Sequence, residues 1–535
     1  MKKIILLLLT LSIIGCGGKK EENVIRETEQ KLRFVMASDP KFMDPGLNSE
    51  SVAGALINNL FEGLIREVGG ELKPGITKNY KISEDKKTYT FNLKKTKWSD
   101  GKPLTANDFK YSWIRALSPE TSSTYAMLFF PIKGAEEFYN GNGKIENIGV
   151  EVIDDYTLKV ELDAPTPYFL DLTAFYTYLP VRKDIIEKYG ENWTKDPNTF
   201  ISNGPFKLES YSIGEKFVLI KNKQYWNANN IKLEKIEAPI ISDESTALTA
   251  FENKSVDIIS NIPSQELVKL NAESSEFYIT PGTGTYFYVF NNNKYPTDNI
   301  NVRKALTYAI DREAIVENIT RGQEIPAKSY IPITNAIKDS KGDVLAEKTK
   351  WNVPTRENIE KAKKYLAEAG FPGGKGFPKL ELLYNTSENH KAVAEAMQAM
   401  WKKNLNIDVN LVNQEWAVFL NTRGKGEYNG VARFGWSIDY PDALSMLEVF
   451  SSVEGSNSAQ WIKPAYNTLL EKIRVESNGD KRDKLIHEAE DMLLNDYASL
   501  PLYYYTNKFM VGSKVKGWER ASLGFWYFGN ISIED

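Results

Sequence analysis

The chemistry that the rest of the chain has to position lies in the stretch 431–439. Arg433, Gly435, Ser437 and Asp439 recur at every second place there, interleaved with apolar Ala432, Phe434, Trp436 and Ile438. That period belongs to a β-strand, so the spacing predicts a strand with one core face and one hydrophilic face. The hydrophilic face carries a cation near one end, an anion at the other and a glycine between. The Cα atoms of Arg433 and Asp439 would stand roughly 20 Å apart. The arginine side chain closes part of that gap, and the remainder fits a short zwitterion of a few residues laid along the strand. Gly435 would let a second backbone approach, as an added strand requires. The plainer alternative is two solvated residues on an exposed strand, with Asp439 opening the turn at Tyr440-Pro441.

Other chemistries find little support. The two histidines, His390 and His487, belong to no H-E-x-x-H motif. Gly435-Trp436-Ser437-Ile438-Asp439 misses the G-x-S-x-G elbow at its last position. Gly424, Gly426 and Gly430 have the wrong spacing for a dinucleotide loop. No Walker loop or metal-ligand pattern appears, and none of the 71 acidic residues stands out as half of a catalytic pair. The net charge of −4 leaves no basic footprint for nucleic acid.

The elements that must hold the strand are read from the rest of the chain. Its 535 residues suffice for two or more cores, and 42% hydrophobic and 26% charged residues are ordinary globular values. Lys2 and Lys3 precede an apolar run, 4–14, too short to span a bilayer, which ends at Gly15-Cys16. Residues 17–30 are small, polar and charged, a flexible tether. Folding is expected to begin with a strand at Leu32. A helix is expected over 51–66, a strand through Tyr89, Phe91 and Leu93, and a capping box of Thr105 and Asp108 opening a second helix. A further helix is expected at His390, capped by Ser387 or Asn389, with Val393, Met397 and Trp401 on its apolar face. A helix N-terminus favours an anion, which suits His390 to a carboxylate.

Several motifs carry a resemblance over nearly the whole mature chain. WSDGKPLTAND (98–108), Asn203-Gly204-Pro205-Phe206, Tyr225-Trp226-Asn227, TYFYVFNNNKYP (285–296), VRKALTYAIDREAIV (302–316) and AKKYLAEAGF (362–371) resemble the extracytoplasmic solute-binding proteins of peptide-type ABC importers. NTSENHK (385–391), LVNQEW (411–416) and ARFGWSIDY (432–440) point to the oligopeptide-binding subgroup. Gly15-Cys16 after the apolar run resembles a bacterial lipoprotein signal, which implies cleavage before Cys16 and lipid attachment to its sulfur.

The resemblance implies a two-lobed α/β periplasmic-binding-protein-like fold that closes on its ligand. It places a signal at 1–15, a tether at 16–31, a first lobe at 32–51, 180–281 and 501–535, an extra subdomain at 52–179 and a second lobe at 282–500. Hinge crossings are expected at Gly282-Thr283-Gly284 and Leu500-Pro501, the glycines absorbing φ/ψ change on closure. By the same resemblance Asp439 takes a peptide ammonium, and Arg423, Arg433, Lys294 and His390 meet the carboxylate of ligands of different length. Trp416, Tyr111, Tyr286 and Tyr288 match positions near side-chain pockets, and Asp39 matches an acidic position near the ligand. Gly435, Trp436 and Ser437 complete the set as strand residues, although Ser437 stands where members of the subgroup hold cysteine. The implied protein is a monomeric, lipid-anchored peptide receptor outside the cytoplasmic membrane. It needs no cofactor, catalyses no reaction and hands its cargo to an importer's permease and ATPase. The same fold carrying an oligosaccharide or a metal chelate is the alternative.

Overall fold

The computed structural model describes residues 29–535 apart from 350, 352, 452–456, 477 and 522. Cys16 and the apolar run before it lie outside the described residues. Regular structure begins at the strand Lys31–Arg33, one residue before the expected start. It pairs in parallel with Lys235–Pro239 in a four-stranded sheet that continues through Lys216–Lys221 to Phe206–Ser212. A second four-stranded sheet takes Thr77–Ile82, Thr88–Leu93, Thr157–Glu161 and Val150–Asp154 in spatial order. Tyr89, Phe91 and Leu93 are buried on alternate positions, as their spacing predicts. The capping box forms: the Thr105 N–H donates to Asp108 Oδ2 at 2.7 Å ahead of the helix Ala106–Leu117.

The helix expected over 51–66 stops at Leu60. The reason lies far along the chain. The Gly204 N–H donates to Leu60 O at 2.8 Å, and the Asn203 side chain bonds both the N–H and the C=O of Glu62. A Cβ on Gly204 would stand 2.5 Å from the Leu60 carbonyl carbon, so only glycine permits this approach. Partners from another segment take the groups that a longer helix would have used. The helix itself packs on the C-terminal segment, where Asn59 donates to Trp526 O and accepts from the Phe528 N–H.

The largest sheet has seven strands, with a path through Ile258–Ile259, Ser499–Val511, Phe277–Phe290, Gly430–Ser437, Leu380–Asn385 and Val409–Gln414. Two of its strands, Phe277–Phe290 and Ser499–Val511, are long and pair in two stretches, 277–281 with 506–510 and 285–289 with 499–504. The register breaks between Pro281 and Thr285, at the expected Gly282-Thr283-Gly284. Its partner across the break is Tyr505, beyond the expected Leu500-Pro501. Pro501 instead coincides with a separate irregularity opposite Phe287, where a missing N–H interrupts the ladder. Neither Gly282 nor Gly284 has a positive φ. A Cβ on Gly282 would collide with the Tyr505 carbonyl and one on Gly284 with the Trp436 carbonyl. These glycines permit close backbone packing.

Candidate functional site

The strand Gly430–Ser437 is internal, and its two edges differ. One edge pairs along 431–437 with the strand Phe277–Phe290. On the other, Leu380–Asn385 pairs only with Gly430, Val431 and Ala432. From Arg433 to Ser437 no strand occupies that edge among the described residues. Backbone donors and acceptors there stand ready for an added strand.

The predicted division into a core face and a hydrophilic face holds in part: the hydrophilic face is buried around Val431 and Arg433 and exposed at Ser437. Phe434 stacks on Phe287 at 4.9 Å in one core. Val431, on the opposite face, packs with Tyr286, Tyr288 and Trp401 in another core, under the helix Glu388–Leu405. Arg433 is only 9% exposed. The predicted strand end moves as well. Ser437 is its last residue, and Asp439 follows, buried at 9% exposure, with its N–H donating to Ser445 Oγ at 2.6 Å. Asp439 is therefore no solvated turn residue.

Two adjoining cavities of about 490 and 450 Å³ lie along this strand. The first contains Gly435, Trp436, Ser437, Asp439 and Arg423, faced by Glu50, Tyr125 and Tyr176. The second contains Tyr286, His390 and Asn385, faced by Glu244. Arg433, Trp416 and Tyr505 line both. Four expected residues are not brought to either cavity. Lys294 lies in the turn after Phe277–Phe290, accepting from the Asp298 N–H. Tyr111 is half-buried on the helix Ala106–Leu117 beneath Lys183. Tyr288 is fully buried behind Tyr286. Asp39 accepts from the Tyr211 hydroxyl at 2.9 Å and from the Gly214 N–H.

The cleft is closed by bonds between its walls. The Trp416 indole donates to Glu50, and Lys41 Nζ donates to Asn421 Oδ1 at 2.9 Å. Tyr168 stacks on Tyr440 at 4.5 Å.

The charges inside this closed space are unusual. The Arg433 guanidinium donates to the Tyr505 hydroxyl at 3.0 Å and lies 4.9 Å from the Tyr286 ring centroid. That of Arg423 lies 3.7 Å from the Phe434 ring centroid. Burial and the neighbouring Arg433 lower the Arg423 pKa to about 9. Neither guanidinium has a carboxylate within ion-pair range among the described residues, and the Nε of each is buried without a hydrogen-bond partner. Among the described residues the Asp439 carboxylate accepts only from the Tyr125 hydroxyl, at 3.1 Å. Its carboxyl is held well above the usual carboxylate range by burial, against that hydrogen bond and reinforced by the nearby Glu448. A buried ionised group without a partner is costly, so both ends of the open edge are poised for opposite charges from outside the chain.

His390 lies in the second cavity without a positive charge of its own. Ser387 caps its helix, accepting from the His390 N–H at 3.3 Å, as foreseen. Burial and the Arg433 charge, however, push the imidazole pKa well below the ordinary histidine range. Its Nδ1 sits 3.3 Å from the Tyr286 hydroxyl. A neutral imidazole can offer a hydrogen bond to a carboxylate, but not a positive charge.

Gly435 also does something its spacing did not reveal. A Cβ there would coincide with the Tyr505 hydroxyl, so the glycine makes room for the tyrosine that holds Arg433. Tyr505 and Tyr125 were not foreseen as site residues. They come from the far C-terminal strand and from the connection between the strands Thr88–Leu93 and Val150–Asp154 of the second sheet, and no local spacing marks them.

Residues 71–458 match the family of bacterial extracellular solute-binding proteins, family 5. The chain is 36% identical over 544 residues to the oligopeptide-binding protein OppA of Bacillus subtilis, covering 98% of each. Its fold matches Haemophilus influenzae OppA in complex with the peptide RPPGFSPFR at a TM-score of 0.87, with 32% identity, over 95% of this chain and 99% of that one. Against the unliganded open form of the murein tripeptide binding protein MppA the score falls to 0.61, at 33% identity and with 94% and 97% covered. The fold is thus the two-lobed α/β architecture in a closed arrangement, as the bonds across the cleft show independently. With this architecture, and with a match that spans most of its length, the chain belongs to the family 5 bacterial extracellular solute-binding proteins.

Proposed function

We propose that this protein is an extracytoplasmic receptor that encloses short peptides between its lobes and delivers them to an ABC importer. The observation that carries this reading is an open strand edge inside a closed cleft, with buried groups of opposite charge type that have no counter-ion among the described residues. A peptide laid against 433–437 would add a strand, its backbone supplying the missing ladder. Its ammonium would meet Asp439, and its carboxylate the Arg423 and Arg433 pair. The cavity with Asp439 would take the shortest peptides, and longer ones would pass Arg433 toward His390. Lys294 lies outside both cavities, so Lys294→Ala is expected to leave affinity unchanged for di- and tripeptides.

The cargo is proposed to leave unaltered. Small-angle scattering with and without peptide should show compaction, and the recovered peptide should be intact. Cleavage at catalytic rates would transfer the protein to the enzymes.

Gly435→Ala tests the wiring of the site. The new methyl group displaces the Tyr505 hydroxyl and removes the Arg433 hydrogen bond. A hydrogen bond from a charged group contributes about 1.5–3 kcal/mol, so peptide affinity should fall by roughly ten-fold or more. Affinity within two-fold of the native value would show that Tyr505 does not hold Arg433 for binding.

We further propose that Cys16 anchors a monomeric receptor to the outer side of a membrane through a lipid on its sulfur. The support is the short apolar run ending at Gly15-Cys16. Cys16→Ser should release the protein from membrane fractions or block processing of the precursor. Unchanged fractionation and unchanged precursor size would rule the anchor out.

A further inference from the structure

A third arginine faces the cleft, and neither terminus of a bound peptide accounts for it. Arg520 lies on the two-residue strand Glu519–Arg520 of the C-terminal segment and lines both cavities. Its Nε and Nη2 donate to Gly524 O at 3.0 and 2.6 Å. Its guanidinium carbon sits 4.7 Å from the Phe509 ring centroid and 5.1 Å from that of Trp526. These contacts fix the plane of the fork. Among the described residues Nη1 has no hydrogen-bond partner and no carboxylate lies within ion-pair range. The neighbouring Glu519 is engaged elsewhere, accepting from Asn530 Nδ2 at 2.9 Å.

The charge balance of the cavity that holds Asp439 sharpens the point. Arg423, Arg433 and Arg520 line it, against two carboxylates, Glu50 and Asp439. Glu50 is already committed, accepting from the Trp416 indole and the Lys41 N–H. That excess of positive charge belongs to this cavity alone, since the adjoining one adds Glu244, Glu324 and Glu415 against Lys508. A ligand carboxylate beside Arg520 would give this guanidinium the counter-ion it lacks among the described residues. A planar, pre-oriented guanidinium is the side chain suited to recognise that carboxylate with two parallel hydrogen bonds.

Resting on the peptide reading above, we infer that Arg520 reads a ligand side chain and makes the cleft prefer peptides that contain aspartate or glutamate. Calorimetry on the full-length, refolded, ligand-free protein tests this with tri-alanine in which Glu or Gln is moved through the three positions. At one position the Glu peptide is expected to bind about 10–100-fold tighter than its Gln counterpart, the range for a hydrogen-bonded charged group. R520Q should bring that ratio to about one. R520K keeps a point charge without the planar fork, and should give an intermediate ratio. Equal binding of Glu and Gln peptides at all three positions by the native protein would overturn the inference while leaving the peptide reading intact. A Glu preference retained by R520Q would also overturn it. If none of these peptides binds, the receptor reading itself fails and this one falls with it.

Discussion

Asp439→Asn is expected to weaken the binding of free peptides by roughly 10²–10³-fold. Removing one partner of a buried ion pair costs about 3–5 kcal/mol, because the other charge is left desolvated. Asp439 meets the conditions for that cost: it is 9% exposed, and Tyr125 is its only side-chain donor. The same geometry couples the effect to the ligand. An N-acetylated peptide brings no ammonium, so it should bind the native protein poorly. The variant should discriminate much less between acetylated and free peptides. A carboxylate with a merely structural role would show the first loss without the second. Calorimetry with matched free and acetylated tripeptides separates the two cases.

Arg433→Ala carries the second largest expected effect. Arg433 lies where the two cavities meet, stacked against Tyr286 and held by Tyr505. In the proposed binding mode short peptides end near it, and for them the loss should again be about 10²-fold or more, because their carboxylate stays buried against a lost partner. Longer peptides place their carboxylate beyond Arg433, toward His390, and should lose less. His390→Ala should show the reverse order, with a smaller effect, since a neutral imidazole supplies only a hydrogen bond. The Arg433→Ala variant should also raise the His390 pKa in part, because the Arg433 charge is the smaller of the two causes that lower it and burial, the larger, remains. Titration of the His390 ring signals by NMR would show this upward shift. Equal losses at every peptide length for both variants would remove the ordering.

The strand that organises the site was legible from two-residue spacing alone. So were the strand Thr88–Leu93 and the caps at Thr105 and Ser387, because each is settled within a few residues of sequence. What could not be read depends on distant partners. The helix 51–60 stops where Asn203 and Gly204 arrive. Alternation in 431–439 suggested a solvated face, yet packing under the helix Glu388–Leu405 buries its Val431 end and leaves Ser437 exposed, which only the fold decides. Asp439 looked like the start of an exposed turn until Tyr125 and Ser445 enclosed it. Gly435 was read as room for a ligand, whereas the chain's own Tyr505 fills that room. Arg520 has no local pattern at all. Its significance comes from the cavity it shares with Arg423 and Arg433.

The resemblance to peptide receptors correctly indicated the family and the two-lobed fold. Of the site residues it implied, Tyr111, Tyr288, Lys294 and Asp39 line neither cavity and make helix, core, turn and loop contacts. A contact depends on side-chain direction as well as on place, which position along the chain does not give.

The most direct test of the receptor reading is native mass spectrometry of refolded, ligand-free protein after incubation with an equimolar mixture of two- to six-residue peptides, metal chelates and oligosaccharides. The predicted result is a one-to-one complex whose added mass, released on denaturation, is intact peptide with a free N-terminus. Retention of a metal chelate or an oligosaccharide, with no peptide retained at any length, would contradict it.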